Sequence, residues 1–566
     1  MKTQLPMTKT EIESLGWKEL DVILVTGDAY VDHPSFGVAL IARVLEDIGL
    51  KVGIISQPDW KTPHDITRLG RPKLFFGVTA GNVDSMVANY TASRRKRKTD
   101  AYTPGGLFGK RPDRATIVYS NLIKRYFKDV PIIIGGIEAS LRRLAHYDWW
   151  SNSVRRSILL DSKADLLVYG MAEKTIVQVA NILINGGTIE DCFKLRGVVY
   201  WTREPPNDAL ILPSLEKVKA DKLEYAKAFK TFYLENDPIR GKKLAQLHGT
   251  QWVIQNPPQF PLNQKELDHI YDLNYTREVH PECLKKGRVK AIETVKFSIT
   301  SHRGCYGGCA FCAITIHQGN LVVWRSKKSI IKEAKRIANL KDFKGVISDV
   351  GGPTANMYGY ECIKKMKQGT CKERMCIFPD VCPSLKVDHS KYIELLDELK
   401  KLPEVKKVFV ASGIRHDLVL ADKDYKDLFI TKISKDHVSG QLKLAPEHSD
   451  SKVLKLMRKP SIKKFIEFQK KFQEINKKLR KKQYIIVYLI AAHPGSGKKE
   501  ALKLREFVKN ELKYRPQQVQ IFTPTPSTIS TTMYYTGLDP FTNEKVFVEK
   551  SEKNRRWQKE ILFHLK

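Results

Sequence analysis

No stretch of this 566-residue chain is apolar enough to cross a bilayer. The longest apolar run, Tyr484–Ala492, falls short of the about 20 residues that a spanning helix needs. The N-terminal stretch MKTQLPMTKTEIESLGWKEL has no apolar core between its charges, so it does not read as an export signal. No repeat of solenoid period is evident. Acidic residues are scarce, with 62 Asp and Glu against 97 Lys and Arg, for a formal net charge of +35. Cysteine is absent from most of the chain. Seven of the nine lie between Cys305 and Cys382; the other two are Cys192 and Cys283. A disulfide framework would spread its cysteines through a short exported chain. Clustering in a long chain without a leader points to metal or catalysis. A cytoplasmic protein with no membrane partner is expected.

The positive charge has two readings. One is an electrostatic footprint for nucleic acid. The other is a set of solvated lysine-rich faces. Ser461–Lys482 illustrates the second: Ile462, Phe465, Ile466, Gln469, Phe472, Ile475 and Leu479 fall near one stripe, and most lysines lie off it. The densest basic run is Arg94–Lys98, in a segment that reads as a loop.

Strand-like and helix-like patterns alternate twice along the chain. In the first third, Asp21–Gly27, Lys51–Ser56, Leu74–Val78, Pro131–Gly136 and Ala164–Gly170 are short apolar runs, several ending in glycine. That alternation predicts a Rossmann-like parallel sheet with right-handed crossovers over 1–200, whose carboxyl edge binds ligands. Residues 201–290 read as a connector. From 291 to 530 the alternation resumes, with candidate strands at Lys296–Ser301, Gly345–Val350, Met375–Phe378, Val408–Ala411, Gln441–Leu444, Tyr484–Ile490 and Val519–Phe522. This fits a full or partial (β/α) barrel with its chemistry at the strand carboxyl ends. Residues 531–566 read as a short C-terminal tail. The fold class is therefore α/β, in two successive units.

The strongest chemical signal is Ser301–Cys312, SHRGCYGGCAFC, directly after a strand. Cys305, Cys309 and Cys312 stand on one glycine-rich loop in a C-x3-C-x2-C spacing. Three thiolates on such a loop can converge on one iron–sulfur cubane and leave its fourth iron open to an exchangeable ligand. A structural zinc site is the competing reading. It normally takes four ligands, and His317 is the available fourth, but the three-cysteine spacing argues against it.

The motif, with Phe311 at its aromatic position, resembles the signature of the radical S-adenosylmethionine (SAM) superfamily. Ala101–Thr116, Gly135–Gly170, Pro257–Pro281 and Leu442–His448 further resemble the YgiQ-type radical SAM family, over nearly the whole chain. The resemblance implies one 4Fe–4S cluster on Cys305, Cys309 and Cys312, with the SAM amine and carboxylate on the fourth iron. It implies that Gly351 and Gly352, followed here by Pro353-Thr354 in place of the usual acidic residue, contact the SAM amino group. It places Ser412 and Arg415 near the SAM ribose or carboxylate, and Lys443 and Glu447 facing SAM or substrate. It implies reductive SAM cleavage to a 5′-deoxyadenosyl radical that abstracts hydrogen from a substrate, with a flavodoxin- or ferredoxin-like electron donor. It does not identify the substrate or a catalytic residue acting on it.

Cys362, Cys371, Cys376 and Cys382 form a second group, a candidate zinc or auxiliary iron–sulfur site. The N-terminal unit resembles the cobalamin-binding-like domain that precedes many such barrels. However, Asp32-His33 with Gly37 does not form the D-x-H-x-x-G pattern of cobalt ligation through histidine. Arg142, Arg143, His146, Tyr147, Asp148 and Trp149 form a polar–aromatic cluster that meets substrate or packs against the barrel. His493–Lys499 resembles a phosphate loop, but Ala492 holds the first glycine position and Lys499 replaces the Ser/Thr. Two alternatives stand beside the radical SAM enzyme. One is a cobalamin-dependent radical methyltransferase; the other is a non-catalytic nucleic-acid-binding or redox-sensing iron–sulfur protein.

Overall fold

The computed structural model describes residues 3–564. They divide into two compact units. One runs from residue 3 to Leu262 with His269–Lys296; the other comprises Asn263–Asp268 and residues 297–564.

The first unit is built on β1 (Val22–Thr26), β2 (Val52–Ser56), β3 (Phe75–Thr79), β4 (Ile132–Ile134), the hairpin β5 (His146–Asp148) and β6 (Ser153–Arg155), β7 (Leu166–Val168), β8 (Val198–Thr202), β9 (Leu210–Leu212), β10 (Leu244–His248) and β11 (Gln251–Gln255). Nine of these form one sheet in the order β2-β1-β3-β4-β7-β8-β11-β10-β9. The first five are parallel. Their continuous apolar sequences, VILVT in β1 and III in β4, are fully buried, as strands covered on both faces require. The helix Gly37–Asp47 covers one face with Val38, Ala39, Ala42, Val44 and Leu45. The order 2-1-3-4-5 of these parallel strands is that of a doubly wound sheet, whose ligand crevice lies where the order reverses, between β1 and β3. Residues 201–290, read above as a connector, instead contribute β9, β10 and β11 to this sheet. The reason is the antiparallel hairpin β10–β11, whose Ala245, Val253 and Ile254 are buried and which joins β8 through β11.

The second unit carries β12 (Ser298–Thr300), β13 (His302–Arg303), β14 (Val323–Trp324), β15 (Val346–Ile347), β16 (Asp349–Gly351), β17 (Lys407–Val408), β18 (Gln441–Glu447), β19 (Tyr484–Ala491) and β20 (Gln518–Ile521). β12 pairs with β16, β15 with β17, and β18 with β19 and then β20, all in parallel. Backbone bonds from Val350 N–H to Phe409 O (3.1 Å) and from Val410 N–H to His437 O (3.0 Å) join these pieces, and a parallel bridge links Ile414 to Leu444. With β15 and β16 as one interrupted strand, six parallel strands form a partial barrel. Ile299, Ile347, Val350, Val408, Leu442, Leu444, Val487 and Val519 are buried in its core. Each such side chain contributes about 1.5–3 kcal/mol.

Met375–Phe378 is not a strand. It lies in an irregular excursion ended by Pro379, which has no N–H to give to a ladder. Ser412 and Arg415 therefore follow the third strand, not the fourth, and Lys443 and Glu447 lie on the fourth. The stretch read as a tail is integral to this unit. Gln558 accepts from Ala492 N–H (2.9 Å), Arg555 donates to Phe522 O (2.5 Å), and Leu562 is fully buried. No helix among the described residues is long and apolar enough to cross a membrane.

Candidate functional site

The three signature cysteines leave β13 on a loop that only glycine can trace. Gly304 has φ +83°, and a Cβ there would stand 2.0 Å from Leu321 O. A Cβ at Gly307 would sit between two sulfurs, 3.2 Å from Cys305 Sγ and 3.5 Å from Cys309 Sγ. The middle of the loop is pinned on both sides: Ala310 N–H donates to Met457 O (3.0 Å), and Ser530 N–H donates to Ala310 O (2.8 Å). Burial, then the neighbouring Cys309, raises the Cys305 thiol and pushes Cys312 up to about 12. Buried thiols that resist ionisation become thiolates when a cation binds them. Among the described residues, no three or more His, Cys, Asp or Glu are gathered to hold a single metal ion. A cubane places each of its cysteines on a different iron, so its ligands spread more widely than a zinc site's. The loop fits the cluster.

Arg415 is the cation at this loop. Its Nη1 lies 3.5 Å from Cys309 Sγ, and Asp417 grips its Nε and Nη2 at 2.8 and 2.5 Å. Its backbone is clamped by Asn356, which accepts from Arg415 N–H (2.8 Å) and donates to Arg415 O (3.1 Å). Asn356 in turn meets His389, whose Nδ1 is 2.6 Å from Asp422. The Arg415 guanidinium holds the buried Asp417 carboxyl well below the usual range against the burial that raises it.

The glycines after β16 are tight against neighbours. A Cβ at Gly351 would meet Ser412 Oγ at 2.8 Å, and one at Gly352 would meet His302 Nε2 at 2.7 Å. Ser412 is itself engaged: its N–H and hydroxyl both donate to Asp349. His302 joins this loop to the root of the cysteine loop. Its Nε2–H donates to Thr354 O (2.9 Å), which leaves Nδ1 to accept from the Ser301 hydroxyl (2.9 Å).

Glu447 ends β18 beyond a register shift, with φ +68°. A non-glycine residue held there costs about 1–3 kcal/mol, a cost that persists where the surroundings require it. Its side chain is buried, and burial raises its carboxyl. The nearest cation is Lys459, also buried, at 3.9 Å. No hydrogen bond joins them, and neither side chain makes a hydrogen bond elsewhere among the described residues. Glu447 is close enough to Cys312 to raise its thiol. Lys443 is elsewhere: it is exposed, on the outer face of β18 with Gln441. Lys459, not Lys443, is the lysine of this site.

Phe311 packs edge-on to His493, 6.1 Å between ring centroids. His493 donates from Nδ1 to Pro494 O (2.8 Å), so its Nε2 accepts from the Ser530 hydroxyl (2.6 Å). The His493–Lys499 segment is thus a strand-end loop leading into the helix Lys498–Phe507. His317 lies on the short helix Ile314–Gln318. Cys362, Cys371, Cys376 and Cys382 share one excursion of chain: Cys362 is buried, Cys371 is exposed, and burial, then the neighbouring Glu361, Cys362 and Cys371, raises the Cys376 thiol.

The crevice of the first unit is filled by its own chain. Arg111, fully buried, reaches Asp28 (2.6 Å) and Asp100 (3.1 Å) across the ends of β1 and β3. Asp28 also accepts from Asn82 N–H (2.7 Å), and a Cβ at Gly27 would strike Ala80 O at 2.3 Å. Glu138 accepts from Ser85 and Thr116. Both ring nitrogens of His33 are taken, by Ser35 N–H (3.0 Å) and Arg277 (2.8 Å). Arg142, Arg143, His146, Tyr147, Asp148 and Trp149 are all buried within this unit. Arg142 pairs with Asp84, and Arg143 lies between the rings of Tyr169 and Phe232. Arg94 stacks on Trp149 at 4.5 Å, so the basic run begins on an anchored residue.

Comparison with known proteins covers both units. The family described as Radical SAM N-terminal matches residues 4–298, the Radical SAM superfamily matches 299–508, and a domain of unknown function, DUF3362, matches 517–565. A UPF0313 protein of Thermotoga neapolitana is 59% identical over 563 residues, covering 99% of each chain. A UPF0313 protein of Clostridium botulinum is 54% identical over 560 residues, 99% of this chain and 87% of that one. The solved radical SAM methyltransferase TsrM from Kitasatospora setae, with cobalamin and a [4Fe-4S] cluster bound, aligns with a TM-score of 0.52 at 12% identity, over 97% of this chain and 89% of that one. At that identity the likeness concerns the fold alone.

Proposed function

The chain belongs to the UPF0313 family of the radical SAM superfamily, and on that premise we propose that it is an enzyme that cleaves SAM reductively at the carboxyl ends of the parallel strands of its second unit. Cys305, Cys309 and Cys312 would hold three irons of a 4Fe–4S cluster. When bound and reduced, that cluster supplies one electron to the sulfonium of SAM, giving methionine and a 5′-deoxyadenosyl radical. The observation that carries this reading is the cysteine loop itself: three thiols on one glycine-rich turn, with Cys305 and Cys309 bordering a space kept open by Gly307 and one buried arginine against Cys309.

The remaining residues bind and orient. Arg415, fixed by Asp417 and Asn356, places positive charge beside Cys309 and donates to its sulfur. Such bonds are among the factors that set cluster potentials. Glu447 and Lys459, both buried and without hydrogen bonds to each other, suit a ligand that carries an amine beside a carboxylate: Glu447 accepts from the amine N–H and Lys459 donates to the carboxylate. The methionyl end of SAM carries both groups. Gly351 and Gly352 let Ser412 and His302 pack against the turn after β16, and Phe311 with His493 offers an apolar wall. Ser412 acts through Asp349, as a positioning residue.

Cobalamin does not fit the first unit's own crevice, which Arg111, Asp28 and Asp100 occupy, and no step is assigned to it. Nine free cysteines suit a reducing compartment, and the cytoplasm is the location we assign.

The test is anaerobic reconstitution with iron and sulfide, reduction with dithionite, and assay of 5′-deoxyadenosine from SAM. Wild type is expected to form it; Cys305→Ala, Cys309→Ala and Cys312→Ala are expected to form none. Equal product from wild type and the three variants overturns the proposal.

A further inference from the structure

The reading above requires an electron from outside, and one surface of the second unit is built to receive a carrier of it. The short helix Ile363–Gln368 presents Ile363 (68% exposed) and Met366 (54% exposed) one turn apart on its outer side. They are among the most exposed large apolar side chains among the described residues. Exposed apolar pairs of this kind mark interaction sites more often than isolated ones do. Around them the charge is one-sided. From 363 to 374 the exposed charged residues are Lys364, Lys367, Lys372 and Arg374 against a single Glu373.

The inner side of the same helix is anchored to the cysteine loop. Lys365 is buried, with Nζ 2.9 Å from Glu361 and 2.7 Å from Asn320 O, and it lies 4.7 Å over the ring of Tyr306. Tyr306 follows Cys305 in sequence and donates its hydroxyl to Tyr360 O. Tyr306, Tyr360, Cys362 and Ile377 form one apolar cluster, against which Cys305 packs. From the exposed helix face to the first cluster cysteine there is thus one packed layer of side chains. Electron transfer weakens steeply with distance, so a docking face this close to the cysteine loop is favourably placed.

We propose that the Ile363–Gln368 helix and the adjoining Lys372–Arg374 segment are the docking face for a small acidic one-electron carrier protein. The proposal rests on the cluster assignment above. An apolar centre with a charged rim is the pattern of a transient protein interface. The basic rim selects an acidic partner and speeds the encounter. In the step itself one electron leaves the reduced carrier and enters the cluster; no proton or group moves. Nucleic acid would also meet the charge, but it has less use for an exposed Ile–Met pair.

The experiment compares wild type with Ile363→Glu/Met366→Glu and Lys364→Glu/Lys367→Glu, all reconstituted. Binding of an acidic ferredoxin is measured at low and high salt, and reduction is timed with reduced ferredoxin and separately with dithionite. The proposal expects salt-sensitive binding by wild type, at least about tenfold weaker binding and slower ferredoxin reduction in both variants, and unchanged dithionite reduction. Wild type that does not bind ferredoxin at low salt, or variants that bind and are reduced as wild type is, overturn it. So would RNA binding through the same residues with ferredoxin unaffected. Failure of dithionite to reduce the wild type counts against the cluster reading, and the binding arm still decides the docking face.

Discussion

The two units place parallel strands and glycine-rich loops in the same relation, yet their carboxyl edges differ in how polar groups are satisfied. In the first unit, Asp28, Arg111 and Asp100 close on one another, Glu138 takes Ser85 and Thr116, and both nitrogens of His33 are engaged. In the second, the Cys305 and Cys309 thiols face a space a methyl group would fill, and Glu447 and Lys459 stand 3.9 Å apart without a hydrogen bond. Topology says where such sheets bind ligands. What separates the edges is the kind of group left: beside its ion pairs the first unit's edge leaves Arg111 Nε and the Thr116 hydroxyl unpartnered, whereas the second keeps a whole carboxylate and a whole ammonium that make no hydrogen bond among the described residues.

Replacing Arg111 by methionine should have the largest effect on stability. It strands two buried carboxylates, and removing one partner of a buried pair costs about 3–5 kcal/mol. Urea denaturation followed in the first unit should show it. A variant as stable as wild type that also retains added cobalamin would break the comparison.

Glu447→Gln should do the reverse. Its carboxylate makes no hydrogen bond among the described residues, and the Gln amide oxygen still faces the Lys459 ammonium, so stability should change far less than at Arg111. SAM affinity should fall by about 10–100-fold, the value of a lost charge-assisted bond of about 1.5–3 kcal/mol. Equilibrium binding of SAM to the reconstituted protein measures it. Lys459→Met alone would leave Glu447 buried and unpaired, so Glu447→Gln/Lys459→Met is the better partner variant.

Gly307→Ala should lower iron content without unfolding the protein, because its Cβ enters the space between Cys305 and Cys309. Iron and acid-labile sulfide assays follow this. The same assay on wild type should give about four irons per chain; about eight would place a second cluster on Cys362, Cys371, Cys376 and Cys382.

A smaller effect concerns pH. Burial holds His302 and His448 at about 4, and His416 and His493 at about 3, below their ordinary 6.5. The unfolded chain therefore takes up protons first as pH falls below 6.5. Their contribution to stability is full above 6.5 and is lost progressively as pH falls toward about 3. Denaturation midpoints at pH 7 and 5 test the sign, and His493→Gln should flatten the slope.

Much of this was legible in the sequence. Runs such as VILVT and III can be little else than strands buried on both faces, and the cysteine spacing located the loop. The misses have physical causes. Alternation along β18 puts Gln441 and Lys443 outside and Leu442 and Leu444 inside, so Lys443 could have been excluded. The register shift after Leu444 then breaks that alternation and turns Glu447 inward, which alternation alone cannot foresee. Lys459, His302 and Asn356 were missed because their roles depend on partners 12, 52 and 59 residues away. The strands β9 to β11 were hidden among prolines and charges: β9 is a short edge strand, and LAQLH and QWVIQ in β10 and β11 bury Gln246, His248 and Gln255 where an apolar run would have marked a strand.

The most direct test of the central claim is the electron paramagnetic resonance spectrum of the reduced, reconstituted protein with and without SAM. A site with an open iron beside Glu447 and Lys459 predicts one cluster signal that changes on adding SAM in wild type and changes far less in Glu447→Gln. A cluster signal indifferent to SAM in wild type would contradict the account, and so would zinc in place of iron on Cys305, Cys309 and Cys312.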